Sequence, residues 1–145
     1  TFFSFLFSYV LAYFYEKKKG LIYESTILEE KLEAKILDKI SLDSGLNDFY
    51  TKEIIQKEIL EVDSKKPIKI FVSDSLSKNE FNKGINFIFN NKSQYEVFDS
   101  FINLTKEDKL IFIAKLSSIR SEEILSLKKR LDLRDLSFNG IFIFK

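Results

Sequence analysis

Five residues in the second half of the chain have types and positions that phosphoryl chemistry uses: Asp74, Ser75, Ser77, Lys78 and Asp99. The first four fall in residues 73–79 (SDSLSKN), directly after the apolar run 68–72, where a phosphate loop would join a strand to a helix. A working cradle needs glycines that let backbone N–H groups curl around phosphates, plus a lysine and a Ser/Thr for the metal. This loop has no glycine, its one lysine is Lys78, and no Lys-Ser or Lys-Thr pair follows. Ser75, Ser77 and a helix N-terminus retain the means to hold a lone anion, or simply to cap the helix. Asp99 closes a short apolar run, as a metal-ordering aspartate does, but aspartate also ends strands as an ordinary turn residue. Asp74 and Asp99 together would face a magnesium ion or accept a phosphoryl group, as in a receiver domain. That chemistry also wants an acidic pair after the first strand and a lysine in a later loop. Only Asp74 is there, and Lys115 falls inside its strand.

Other reactive chemistry is excluded more simply. The chain has no histidine and no cysteine, which removes serine–histidine triads, thiol nucleophiles, disulfides, zinc fingers and histidine metal sites. Taken with the glycine-free loop at 73–79 and the incomplete receiver set, the expectation is no catalytic residue, no cofactor and no metal. Over 145 residues, 23 basic side chains face 22 acidic ones, a net charge of +1, so nucleic acid is not expected as a partner. Four glycines and one proline exclude collagen-like and low-complexity classes. Twenty lysines against three arginines, with 16 phenylalanines, is the bias that A/T-rich codons supply. The phenylalanine richness is thus read as filling of apolar positions rather than as a binding surface. Lacking an initiator methionine, the chain is expected to be the C-terminal piece of something longer.

The elements that must position the candidate residues follow from patterning. Residues 68–72 (IKIFV), 95–98 (YEVF), 109–116 (KLIFIAKL) and 140–144 (GIFIF) read as strands, the third nearly all apolar as a strand covered on both faces should be. Helices fit 78–90, with Phe81, Ile85, Ile88 and Phe89 on one side, and 121–131. Ser121 caps the latter, Glu122 and Glu123 lie at its positive end, and Lys128, Lys129 and Arg130 at its negative end. Strands alternating with helices mean a parallel sheet, with ligands outside the carboxyl ends of the strands. Residues 73–79, 99–103 and 117–120 are the segments that would meet one. Upstream, Ser25 or Thr26 with Glu29 and Glu30 offers a capping box, and Ile27, Leu28, Leu32 and Ile36 repeat at helical spacing. Turn residues break the pattern over 42–48, and a second helix fits 48–61.

Residues 2–15 (FFSFLFSYVLAYFY) carry no charge, and Lys17, Lys18 and Lys19 follow at once. Fourteen helical residues cover about 21 Å, short of a hydrocarbon core of ~30 Å. The run is read as the end of a transmembrane helix whose beginning precedes Thr1, with the lysines marking the cytoplasmic side. The alternative is a buried core helix.

This order of membrane helix, lysines, capped polar helix and small α/β domain is similar to the C-terminal part of polysaccharide chain-length determinants. It looks most like the variety fused to bacterial tyrosine kinases of capsule and exopolysaccharide synthesis. Residues 2–41 resemble the second membrane span and juxtamembrane stretch, 68–90 the Walker A strand and helix, 95–99 the Walker B strand, and 108–144 the closing strand–helix–strand. The resemblance implies residues 1–16 as the end of a transmembrane helix and 17–63 as a cytoplasmic helical connector. Residues 64–145 would then be a degenerate kinase-like α/β domain, Rossmann-like in three layers with about four parallel strands. The kinase parts are missing: no Walker A glycines over 73–82, Ile102 in place of the expected proline, no aspartate-rich second motif, and no tyrosine after Tyr95. Phosphate cradle, metal and acceptor are each lost. The expected protein is a non-catalytic co-polymerase of the inner membrane that regulates polymer length or export, as a homo-oligomer with the polymerase. The competing readings are an active or nucleotide-responsive kinase or ATPase, and a generic membrane-tethered interaction domain.

Overall fold

The computed structural model describes residues 1–22, 24–40, 67–89, 94–116 and 118–144. The turn expected over 42–48 and the helix over 48–61 lie outside them. The described residues form a mixed α/β fold of four helices and a five-stranded parallel sheet. In chain order they are α1 (Phe2–Lys19), β1 (Leu21–Ile22), α2 (Ser25–Leu32), β2 (Ile36–Ile40), β3 (Ile68–Val72) and α3 (Lys78–Ile88). Then come β4 (Tyr95–Val97), β5 (Leu110–Lys115), β6 (Ile119–Arg120), α4 (Ser121–Leu133) and β7 (Gly140–Phe144). The main sheet runs β2-β7-β5-β3-β4, with every neighbouring pair parallel. A two-residue antiparallel ladder joins β1 to β6.

The apolar strands are central because only there can both faces be covered. On β5 and β7 successive side chains enter opposite cores. Phe112, Ala114, Ile141 and Ile143 meet Leu28 and Leu32 of α2 and Ile124, Leu127 and Leu131 of α4. Ile111, Ile113, Phe142 and Phe144 meet Ile85 and Ile88 of α3 on the other face. The second core demands a close approach: a Cβ on Gly84 would run into the Phe144 ring. Tying α2 to α4 at the surface, Lys128 pairs with both Glu33 and Asp132.

Three expectations need correction. Ile36 does not continue a helix from Leu32, and the sheet has five strands rather than about four. Glu33 turns into the left-handed region (φ 53°) and ends α2, after which the chain enters β2 as an edge strand on β7. A register shift between Ile36 and Asp38 makes the strand hard to recognise: Ile36 faces the α2/α4 core, whereas Leu37 and Ile40 face the α3 core. Such a bulge destroys the two-residue alternation by which a strand is read. The caps also differ. Ser25 and Ser121 are first helical residues, preceded by Glu24 and Arg120, and neither helix has a side-chain cap. Instead, Glu29 accepts from the Ile36 N–H and the Ser121 N–H donates to the Gly20 carbonyl.

Helix α1 carries its charge at Glu16–Lys19, which leaves too few apolar turns, and among the described residues no helix is long and apolar enough to cross a membrane. Its apolar side chains are nonetheless exposed all around, from Phe3 at 83% to Val10 at 40%. They are not the buried core helix of the alternative reading. The helix stops at Gly20, whose φ of +62° suits glycine at the residue after a helix end.

Candidate functional site

β3 and β5 are neighbours in the sheet, and the connection after β3 runs to β4 on one side while that after β5 runs to β7 on the other. At such a switch point the loops diverge and leave a crevice at the carboxyl ends of the strands. The loop after β3 lies there, facing the segment after β5 and the first turn of α4. Asp74, Ser75, Ser118, Arg120, Glu122 and Glu123 line a cleft of about 500 Å³.

This crevice is filled from within. Ser73, buried at the end of β3, donates its hydroxyl to Glu123 Oε1 at 2.8 Å. The Asp74 N–H donates to the same oxygen at 3.1 Å. Ser73 Oγ in turn accepts from the Ser75 hydroxyl at 2.8 Å and from the Ser75 N–H at 3.2 Å. Ser75 Oγ accepts from the Lys115 N–H of β5 at 3.1 Å. A continuous line of hydrogen bonds thus runs from β5 through both serines to α4, ending on a carboxylate. Among the described residues no buried side-chain polar atom lacks a partner. An anion cradle needs donors aimed outward at its ligand. Here two of them already hold an internal carboxylate.

The residues singled out from sequence are dispersed by this geometry. Ser77 closes a capping box with Glu80, accepting from the Glu80 N–H while the Glu80 carboxylate accepts from the Ser77 N–H. It is a plain cap of α3. Lys78 is the first residue of that helix and is exposed. Asp74 is exposed in the cleft, whereas Asp99 lines a separate hollow with Phe101, Ile102, Arg130, Leu133 and Arg134. No group of three or more acidic residues suited to a metal ion occurs among the described residues. Lys115 turns its side chain to Glu80 at 2.6 Å, tying the end of β5 to α3. The Lys115 hydrogen bond holds the Glu80 carboxyl below its ordinary value, with the Ser77 contacts adding to it and partial burial opposing it.

Sequence reasoning missed Glu123 and Ser73 as a pair. They stand 50 residues apart, and Glu123 was fully accounted for as a dipole partner at the head of a helix. Only the sheet order brings that head over the end of β3. No family model, no curated protein and no solved structure matches this chain.

Proposed function

We propose that the chain is the membrane-tethered, non-catalytic part of a polysaccharide co-polymerase, with a degenerate, Rossmann-like domain that docks and organises rather than reacts. The observation that carries the non-catalytic half is the Glu123 carboxylate seated on the Ser73 hydroxyl and Asp74 N–H, where a phosphate would need those donors. Anchoring is supported by α1, whose exposed apolar turns lead into Glu16–Lys19 and which needs upstream residues to complete a span. The link to polysaccharide assembly rests on the resemblance of residues 2–41 and 68–144 to chain-length determinants. In this reading the domain sits on the cytoplasmic side of the inner membrane, as a homo-oligomer beside the polymerase.

Two measurements test the reading. Millimolar ATP with magnesium should leave the melting temperature of the full chain unchanged, whereas ligand at 100 times its Kd would add about 2.7 kcal/mol. In cells making the polymer, loss of the protein should change the polymer size distribution, while folded Asp74→Ala and Lys78→Ala variants should not. Altered polymer from the folded Lys78→Ala protein would mean a working active site.

A further inference from the structure

Helix α1 is tied to the domain at its very end. The Ser121 N–H donates to the Gly20 carbonyl at 2.7 Å, and the next two residues pair with β6, Leu21 opposite Arg120 and Ile22 opposite Ile119. Ile22 and Ile119 are both buried in the core that α4 covers, so packing fixes the ladder as well as hydrogen bonding. β6 lies a few residues beyond the end of β5 at Lys115 and leads directly into α4. The end of α1 is therefore fastened at the carboxyl ends of the strands, on the cleft lined by Asp74, Ser118, Arg120 and Glu122. Every residue from Phe2 to Tyr15 is exposed, so α1 leaves the domain from that point without lying along it.

We propose that the β1–β6 ladder holds the carboxyl edge of the sheet against lipid headgroups, with the mouth of this cleft opening onto the membrane surface. With α1 as the membrane anchor of the proposed function, on which this orientation rests, residues 17–19 (KKK) lie at headgroup level. Gly20 follows Lys19 by one Cα step of about 3.8 Å, and the head of α4 is hydrogen-bonded to it. The headgroup layer is itself roughly 5–7 Å deep. Only Gly20 separates α1 from β1, so turning another edge to the lipid would require breaking the ladder. Lys106, Asp108, Ser137 and Asn139 line a hollow at the opposite edge, before β5 and β7 begin. That edge lies roughly 17 Å away along β5 and is left to the aqueous side. Position carries the assignment and charge does not, since Asp74 and Glu122 stand beside Arg120 in the cleft.

The chain has no cysteine, so a single introduced cysteine carries a fluorophore without background. Ser118 at the cleft, Ser137 at the amino edge and Ser8 in α1 are all exposed. Ser118→Cys, Ser137→Cys and Ser8→Cys are labelled separately in the full chain, reconstituted in phospholipid vesicles. Quenching is read with lipids carrying a nitroxide on the headgroup or on the acyl chain. The headgroup nitroxide should quench the label at position 118 several-fold more strongly than that at 137, and the acyl-chain nitroxide should quench the label in α1. A flexible glycine–serine insert between Lys19 and Gly20 should abolish the contrast between 118 and 137. Equal quenching at both positions, or stronger quenching at 137, would overturn the orientation while a quenched α1 label left the anchor standing. An α1 label untouched by the acyl-chain nitroxide would overturn both. A contrast that survived the insert would overturn the ladder as its cause.

Discussion

Helix α1 and strand β7 are the two most phenylalanine-rich stretches of the molecule, and they meet opposite fates. Every residue of β7 is buried, with its phenylalanines in one core and its isoleucines in the other. In α1 all the residues from Phe2 to Tyr15 are exposed. Composition is nearly the same, so composition does not decide burial. The difference lies in arrangement. β7 has two faces and the fold supplies a helical layer for each, whereas a helix apolar on every side has no single face to offer and needs an apolar surrounding instead. The sheet around β7 gives its phenylalanines a shared core, and α1 has no such neighbour among the described residues.

The sharpest way to break this comparison is Phe112→Ala, in the strand beside β7. Phe112 is fully buried and stacks against Phe71 and Phe138. Its truncation should cost about 3–5 kcal/mol, comparable to the whole stability of a small domain, and chemical denaturation should show a collapse of the folded baseline. In a co-polymerase it should also disturb polymer length. Next in size is Gly84→Ala. The new methyl group must displace the Phe144 ring, and overpacking of this kind should cost about 1–3 kcal/mol. A midpoint unchanged from the parent would mean that α3 can slide away from the sheet.

Smaller still is the Glu80–Lys115 pair at the surface, worth about 0.2–1 kcal/mol. The folded Glu80 carboxyl titrates below its unfolded value. Its contribution is therefore complete above the unfolded pKa and is lost as pH falls through the folded one. Glu80→Gln should remove that acid-side loss from a series of melts between pH 6 and 3; an unchanged profile would leave the pair no thermodynamic role. The least effect on stability belongs to α1. Replacing Phe3 and Phe7 by serine should leave denaturation within about 0.5 kcal/mol of the parent, yet reduce partition into lipid vesicles markedly. Serines that instead unfolded the sheet would show that α1 is core after all.

Much of the sheet was legible in the sequence because its strands are either wholly apolar or bounded by turn residues. Residues 109–116 and 140–144 admit few alternatives to buried strands, and α4 announces itself by Glu122 and Glu123 at one end and basic residues at the other. β2 was not legible. Ile36 sits four residues after Leu32, so the helical period runs straight across the Glu33 turn, and the bulge removes the alternation that would have corrected it. The candidate site was legible only as a set of loops. The absence of glycine from residues 73–79 showed that they are a poor cradle, but the carboxylate filling it comes from Glu123, on a different helix. No local pattern states that two loops will share an end of a sheet. Long-range order does, and it became visible only once β3 was seen between β4 and β5.

The strand order has a further consequence for how the molecule comes into being. β7, the last strand of the sheet to be made, is also an interior one, inserted between β5 and β2, which is the first. Until residues 140–144 emerge, β2 has no neighbour in the sheet and β5 presents a bare edge of unpaired amides flanked by Ile111, Phe112 and Ile113. Growing chains therefore pass through a stage with an open, sticky seam, and the sheet can close only after residues 140–144 have been made. Pairing of this kind, distant in sequence, is slow and exposed to misassociation. A nascent chain stalled before Gly140 should be a good client for a chaperone, and the finished one should not.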